Sequence, residues 1–251
     1  AAAKVNFDGA GGATIKSEWL FKQENGEVCI FLYDNNGSLS GDSIRARSNA
    51  AVVTDNTWHH IAATYDGSGH QAGLKVYADG ALLASTNDAT NSGAGHGLGY
   101  VCMRNSTIAV ALGATLDGAA GAGGGNRVFE DFLADICIFN KELSSSEIQE
   151  IYNGGKVKNM TSASTYNSLI SWWKMGDDKD HPDTGGIIDY VNGFNGTLTN
   201  GAYIAATPEL DTDLVGFTKH HIYTNHGRTR QITNAAGAFG SAIAAPFAAP
   251  T

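Results

Sequence analysis

The chain has 251 residues and a formal net charge of −9, with 32 glycines, four prolines and only 16% charged residues. That length suits one large β domain with attachments, and the composition excludes general disorder. No apolar run reaches the length of a membrane span and the body is acidic, so a soluble protein with neither membrane nor nucleic acid as partner is expected.

In chain order, Trp19-Leu20-Phe21 opens the first clear strand, and residues 28–33 form a continuous apolar strand ending in the turn Asp34-Asn35-Asn36-Gly37. Residues 44–53 read as the next strand pair. The stretch TWHHIAATYDGSGHQAGLKVYADGALLAS then predicts three strands, over 58–65, 74–78 and 81–85. Asp79-Gly80 is a hairpin signal, because a two-residue turn needs positive φ, and Asp66-Gly67-Ser68-Gly69 opens a longer loop. Trp58, Ile61 and Tyr65 are large apolar groups on a strand with two partly apolar faces, the pattern of an inner strand in a two-sheet sandwich. Residues 86–98 read as a small-residue loop, and 100–103 and 107–112 as strands. Residues 114–126 form a Gly/Ala-rich loop, read as a mobile linker rather than a contact loop.

Residues 129–140 form a further strand segment, and a helix follows. Ser144 and Glu147 have capping-box spacing, Leu143 and Ile148 staple spacing, and Asn153-Gly154-Gly155 stops the helix. Its apolar stripe is Ile148, Ile151 and Tyr152. From Pro208 the periodicity fades. Residues 217–251 carry the patch KHHIYTNHGRTRQ and an Ala/Gly-rich end, which reads either as a disordered tail or as an arm that orders against a partner. The arm is the preferred reading, with Phe217, Lys219, Arg228, Arg230, Phe239 and Phe247 as its docking residues. No acidic residue follows Asp213, so Lys219, Arg228 and Arg230 give this end +3 and leave −12 on the rest.

Cys29, Cys102 and Cys137 each sit in an apolar run and are odd in number, so buried free thiols and a reducing compartment are expected rather than a disulfide framework. The opening Ala1-Ala2-Ala3-Lys4 has neither a charged leader nor an apolar core and is not read as a signal peptide.

Trp58-His59-His60-Ile61-Ala62-Ala63-Thr64-Tyr65-Asp66-Gly67, followed by Leu74-Lys75-Val76-Tyr77-Ala78-Asp79-Gly80, resembles the laminin G-like, concanavalin A-like jelly-roll superfamily. Val5-Asn6-Phe7-Asp8-Gly9 resembles that family's opening strand, and residues 129–140 its closing strand, with Asp131 where Gly is usual and Ile136 where an acidic residue is common. Ser168 to Asp177, together with Asp189 and the segment NGFNGTLTNG, resembles a segment that opens the sandwich in many relatives but here follows the helix. Its two strands are expected to return and complete the first sheet. This permuted order, with Trp172-Trp173-Lys174-Met175-Gly176-Asp177 behind Tyr152-Asn153-Gly154-Gly155, resembles structural proteins of marine tailed phages. The resemblance implies an all-β fold: a two-sheet antiparallel jelly-roll sandwich with one short helix and an extended C-terminal tail. The expected divisions are 1–158 for the sandwich, 159–207 for a linker and strand pair completing it, and 208–251 for the arm.

Sugar hydrolysis on this fold needs two Glu and an Asp at alternate positions of one strand face, so that acid and nucleophile flank the bond. Asp131-Leu133-Asp135 is the nearest approach, with an apolar middle position, and no catalytic residue is assigned. His59 and His60 lack a nucleophile elbow and read as strand residues. His220, His221 and His226 lack the rigid frame of a zinc site. No cofactor is required, although the resemblance implies possible calcium ligation by Asp8 and Asp135, whose alternative is pairing with backbone N–H groups at strand ends. Glycan binding needs an exposed aromatic beside hydrogen-bonding groups. Trp172 and Trp173 are adjacent and face opposite ways on a strand, so one is core and the other is a candidate platform or packs under the tail.

The function expected from these features is a non-enzymatic virion structural protein, a capsid decoration or fibre-type subunit. It would sit on the virion surface, attached through its C-terminal arm to other virion proteins, as a homo-oligomer, and would have the capacity to hold a cell-surface glycan. The alternative is a secreted or cell-surface carbohydrate-binding module, and a glycoside hydrolase stands third.

Overall fold

A computed structural model describes residues 2–4, 18–34, 43–90, 100, 102–103, 109–114, 132–175, 186–198, 202–206 and 220–224. The chain divides into two compact units, Ala1–Phe129 with Lys141–Tyr166, and Glu130–Asn140 with Asn167–Thr251.

The first unit contains strands β1 (Ala2–Lys4), β2 (Trp19–Glu24), β3 (Glu27–Tyr33), β4 (Ser43–Ser48), β5 (Ile61–Tyr65), β6 (Leu74–Ala78), β7 (Ala81–Leu82), β8 (Ser85–Thr90) and β9 (Ala111–Leu112). Six of them form one antiparallel sheet in the order β8-β4-β3-β2-β1-β9, and three form another in the order β5-β6-β7. Register explains the core. Pairing of Phe21 with Ile30 and of Ile30 with Ala46 puts these side chains on one face, beside the row Trp19, Leu32 and Ile44. That face packs on Leu74 and Val76 of β6, with Ile61, Ala63 and Tyr65 of β5 around them. Two sheets with apolar inner faces and polar outer ones make a sandwich.

The opposite face of the six-stranded sheet is a polar and aromatic mosaic. Phe31 stacks near Tyr33, with ring centroids 6.4 Å apart, and Lys22 and Arg45 lie over Phe31. Arg45 makes a two-pronged pair with Asp88. Arg47 bridges Glu24 and Glu27, which stand opposite each other at the β2–β3 hairpin.

Several predicted elements change shape. Residues 44–53 are one strand and a loop, not a strand pair, since β4 ends at Ser48. The N–H groups of Val52 and Val53 then both donate to the Gly26 carbonyl, at 2.8 and 2.9 Å. The segment STNDAT, read as part of a strand end and a loop, is strand β8 against β4. It lacks apolar alternation because Ala89, opposite Ile44, is its one apolar residue; Asn87, opposite Ala46, donates its amide to the Gln71 and Leu74 carbonyls, and Asp88 pairs with Arg45. Trp58 is not on a strand, because the β5 ladder begins only at Ile61. The stretches 5–9 and 114–126 lie outside the described residues, apart from Ala114 itself.

Helix α1 (Ser145–Tyr152) has the full capping box between Ser144 and Glu147 and stops at Asn153 in the left-handed region. Lys141, with the Ser144 amide, holds the Glu147 carboxyl down at about 2. The Asp79-Gly80 turn has both φ values positive, 49° and 76°, as the primed hairpin turn requires.

In the second unit β10 (Phe132–Leu133), β11 (Ile136–Phe139), β12 (Leu169–Trp173), β13 (Gly186–Ile187), β14 (Gly196–Thr197), β15 (Ala202–Ala206) and β16 (His220–Thr224) pair as β11-β12, β13-β14 and β10-β16-β15. Strand β12 thus joins the closing strand β11 rather than the six-stranded sheet. Strand β16, within the expected arm, pairs with β15 and β10 of its own chain. The docking residues Phe217, Lys219, Arg228, Arg230, Phe239 and Phe247 lie outside the described residues. Among the described residues no helix is long and apolar enough to cross a membrane.

Candidate binding loop around Trp58

Residues 49–60 connect β4 to β5 and carry the exposed run Thr54, Asp55, Asn56, Thr57 and Trp58. Trp58 is 38% exposed, while Trp172 and Trp173 are buried and Trp19 packs against the core. The loop is pinned at both ends. At its start the Asn49 N–H donates to the Ala84 carbonyl, and Val52 and Val53 share the Gly26 carbonyl. Gly26 must be glycine there: its φ is +80°, and an added Cβ would lie 2.8 Å from the Ala51 Cβ.

At its end the loop is closed by His59. The Thr54 N–H donates to His59 Nε2 at 3.2 Å, which leaves the ring proton on Nδ1, where it donates to Asp79 Oδ2 at 2.8 Å. Thr54 Oγ1 stands 3.0 Å from the same Nε2. Asp79 also accepts the His60 N–H through Oδ1 at 3.0 Å, and its own N–H donates to the His60 carbonyl. These bonds displace the start of the ladder to Ile61 and leave Trp58 on a loop. The chain Asp79–His59–Thr54 superficially has the order of an acid–base–nucleophile triad, but the Nε2 lone pair already receives a backbone amide. His59 holds the loop; neither histidine stands on a strand, against the strand reading of both, because β5 begins at Ile61. His60 is pushed below the usual histidine range by burial, opposed by the nearby Asp79 charge, and its ring lies 5.9 Å from that of Tyr152.

The sequence-predicted platform finds no exposed ring. Trp172 is 2% exposed and Trp173 6%. Trp172 Nε1 donates to Asp135 Oδ1 at 3.0 Å, its ring lies 5.6 Å from that of Tyr190, and the Lys174 ammonium sits 4.7 Å from its centroid. Trp173 Nε1 donates to the Phe194 carbonyl at 2.9 Å. The loop 189–195 therefore meets both rings, which is why alternation along β12 leaves neither outward.

Asp135 is one of the two calcium candidates, in the left-handed region at φ 48°, with one carboxylate oxygen accepting the Trp172 indole N–H. Asp8, the other candidate, lies outside the described residues, as does Asp131. Among the described residues no three His, Cys, Asp or Glu side chains gather as a metal cluster.

Sequence reasoning missed Trp58 as a surface group. The available signal was the turn Asp55-Asn56-Thr57 immediately before it, with Asn56 at φ 59°, a turn that sets the indole on a loop rather than in a ladder. Cys102 also departs from expectation: all three thiols are free, yet Cys102 is exposed, while Cys29 is buried and Cys137 half-buried.

No curated protein matches the chain, and no solved structure matches it. The model of the concanavalin A-like lectin/glucanases superfamily matches residues 2–149, which covers more than half of the chain and includes every strand of the sandwich and the Trp58 loop. On that match the chain belongs to the concanavalin A-like lectin/glucanases superfamily.

Proposed function

We propose that this is a non-enzymatic binding module that holds neutral glycans at the Trp58 loop. The observation that carries it is an exposed indole on a loop pinned at Gly26 and His59, beside Thr54, Asp55, Asn56 and Thr57. An indole face covers the C–H face of a pyranose, and short polar side chains on the same loop supply its hydroxyls with partners. Prior anchoring lowers the ordering cost on binding. Neutral rather than anionic sugars suit the Asp55 carboxylate and the acidic body. A non-catalytic role is supported by the carboxylates themselves: Glu24 and Glu27 are bridged by Arg47, and Asp135 is engaged by Trp172. An array of neutral and anionic glycans probed with the full chain and with Trp58→Ala tests this. Neutral ligands lost in the variant support the reading, and turnover of a β-glucan would overturn it.

A compatible second reading places the module on a virion as a decoration or fibre-type subunit. Its support is the charge asymmetry, with Lys219, Arg228 and Arg230 beyond the last acidic residue. Because β16 lies within the proposed arm, deletion from 217 would also remove the centre of a three-stranded sheet. Charge reversal at Arg228 and Arg230 is the cleaner test. Particle co-sedimentation lost in that double variant supports docking, and co-sedimentation retained in it argues against docking through these charges.

A further inference from the structure

We infer that His59 is a protonation-sensitive latch on the Trp58 loop, so that the loop is held in its binding form only while the ring is neutral. The inference rests on the reading of Trp58 as the ligand-holding residue only for its functional consequence; the latch itself stands on hydrogen-bond geometry. Thr54 and His59 bracket the run Asp55-Asn56-Thr57-Trp58, and the bond from the Thr54 N–H to His59 Nε2 closes that bracket. A backbone N–H can only donate, so Nε2 must accept, and only the neutral ring has a lone pair there.

A proton added to the ring goes to Nε2, because Nδ1 already carries the one it donates to Asp79. Two N–H groups then point at each other across 3.2 Å. Thr54 Oγ1, at 3.0 Å, can turn to accept the new proton, so the hydroxyl follows the ring while the amide is left without its acceptor. The change is confined to the loop side. Asp79 faces the ring from the β6–β7 turn and keeps its bond to Nδ1 in both protonation states. Of the other titratable groups, His60 follows along the chain and its ring neighbours Tyr152 of α1, while Asp55 follows Thr54 on the loop and is exposed. The further loop anchors at Gly26 and Ala84 involve no titratable group. The result is loss of the amide half of the bracket, with the Thr54 hydroxyl alone left to close it, while the sandwich stays folded.

The test uses the full chain without ligand. Heteronuclear NMR between about pH 8 and about pH 5 follows the His59 ring nitrogens and the hydrogen exchange of the Thr54 amide, corrected for intrinsic pH dependence. Expected is an unprotonated Nε2 at the upper end, and a loss of Thr54 protection of about fivefold to tenfold as the ring charges, the range one modest hydrogen bond corresponds to. Val52 and Val53 amides should stay protected throughout. His59→Gln, which can accept and donate but does not titrate, should hold Thr54 protection constant. A Thr54 amide indifferent to the His59 titration overturns the latch, as does the same loss in His59→Gln; should that variant not fold, the wild-type titration alone decides. Neutral-glycan binding that Trp58→Ala leaves intact would sink the ligand reading without touching the latch, whereas wild-type binding that survives the charging of His59 unweakened would sink the latch's control of binding and leave the ligand reading standing.

Discussion

A Cβ built on Gly80 would lie 2.8 Å from Cδ1 of Tyr152, the last residue of helix α1. The hairpin turn and the helix thus approach closely at a residue whose φ of +76° already favours glycine. Gly80→Ala is expected to destabilise the protein by about 2 kcal/mol or more, combining left-handed strain with the ring clash. Urea unfolding measures it. In a Tyr152→Ala background the added cost should fall towards the backbone part alone, and a double-mutant cycle reads that coupling.

Asp189 is 4% exposed, and its carboxylate accepts three backbone N–H groups, from Trp172 at 2.9 Å, Val191 at 3.0 Å and Phe194 at 3.1 Å. Asp189→Ala leaves three donors unmatched and should cost about 3 kcal/mol or more. Thermal unfolding checks this, and near-ultraviolet circular dichroism should show the tryptophan environment loosening. Phe194, with its N–H and carbonyl both tied and its ring 62% exposed, should tolerate replacement by Ala with little change in stability.

His60 gives a pH signature of definite sign. Burial lowers its folded-state pKa below the unfolded value of about 6.5. Above that value the ring is neutral in both states and stability is unaffected. As the pH falls below it, the unfolded chain takes up the proton first, so stability drops until the folded ring also protonates. Unfolding midpoints at about pH 7.5 and about pH 5 should differ more in the wild type than in His60→Gln. An equal difference in both would contradict the burial effect.

The thiols should separate by environment. Cys102 is exposed, whereas burial raises the Cys29 pKa and pushes the Cys137 thiol well up. A disulfide-exchange reagent at mildly alkaline pH should therefore modify Cys102 first, with the other two reacting only on unfolding. Mass spectrometry of the alkylated native protein identifies the site.

What was legible in the sequence was local. The Ser144/Glu147 capping box and the Asp79-Gly80 turn depend on residues within one turn of each other, and both stand as the spacing implies. The jelly-roll character was equally readable, since the strand from Val28 to Tyr33 and the stretch LKVYA pattern a two-sheet core. What failed was long-range. Whether Trp58 lies in a ladder depends on the Asp79 carboxylate, twenty-one residues away by sequence number, reaching back to His59 and His60. Strand β8 has no apolar period because Asn87, opposite the buried Ala46, donates to the distant Gln71 and Leu74 carbonyls, and Asp88 pairs with Arg45. Alternation along β12 predicted one outward indole, but Tyr190 and the Phe194 carbonyl meet the two rings.

The most direct measurement is the binding of neutral oligosaccharides to the wild-type chain, to Trp58→Ala and to Phe194→Ala, by calorimetric titration at about pH 8. Saturable binding that Trp58→Ala weakens by about tenfold or more, and that Phe194→Ala leaves intact, is the expected result. Binding unchanged by Trp58→Ala, or no binding across the panel, would contradict the assignment of this loop as the ligand site.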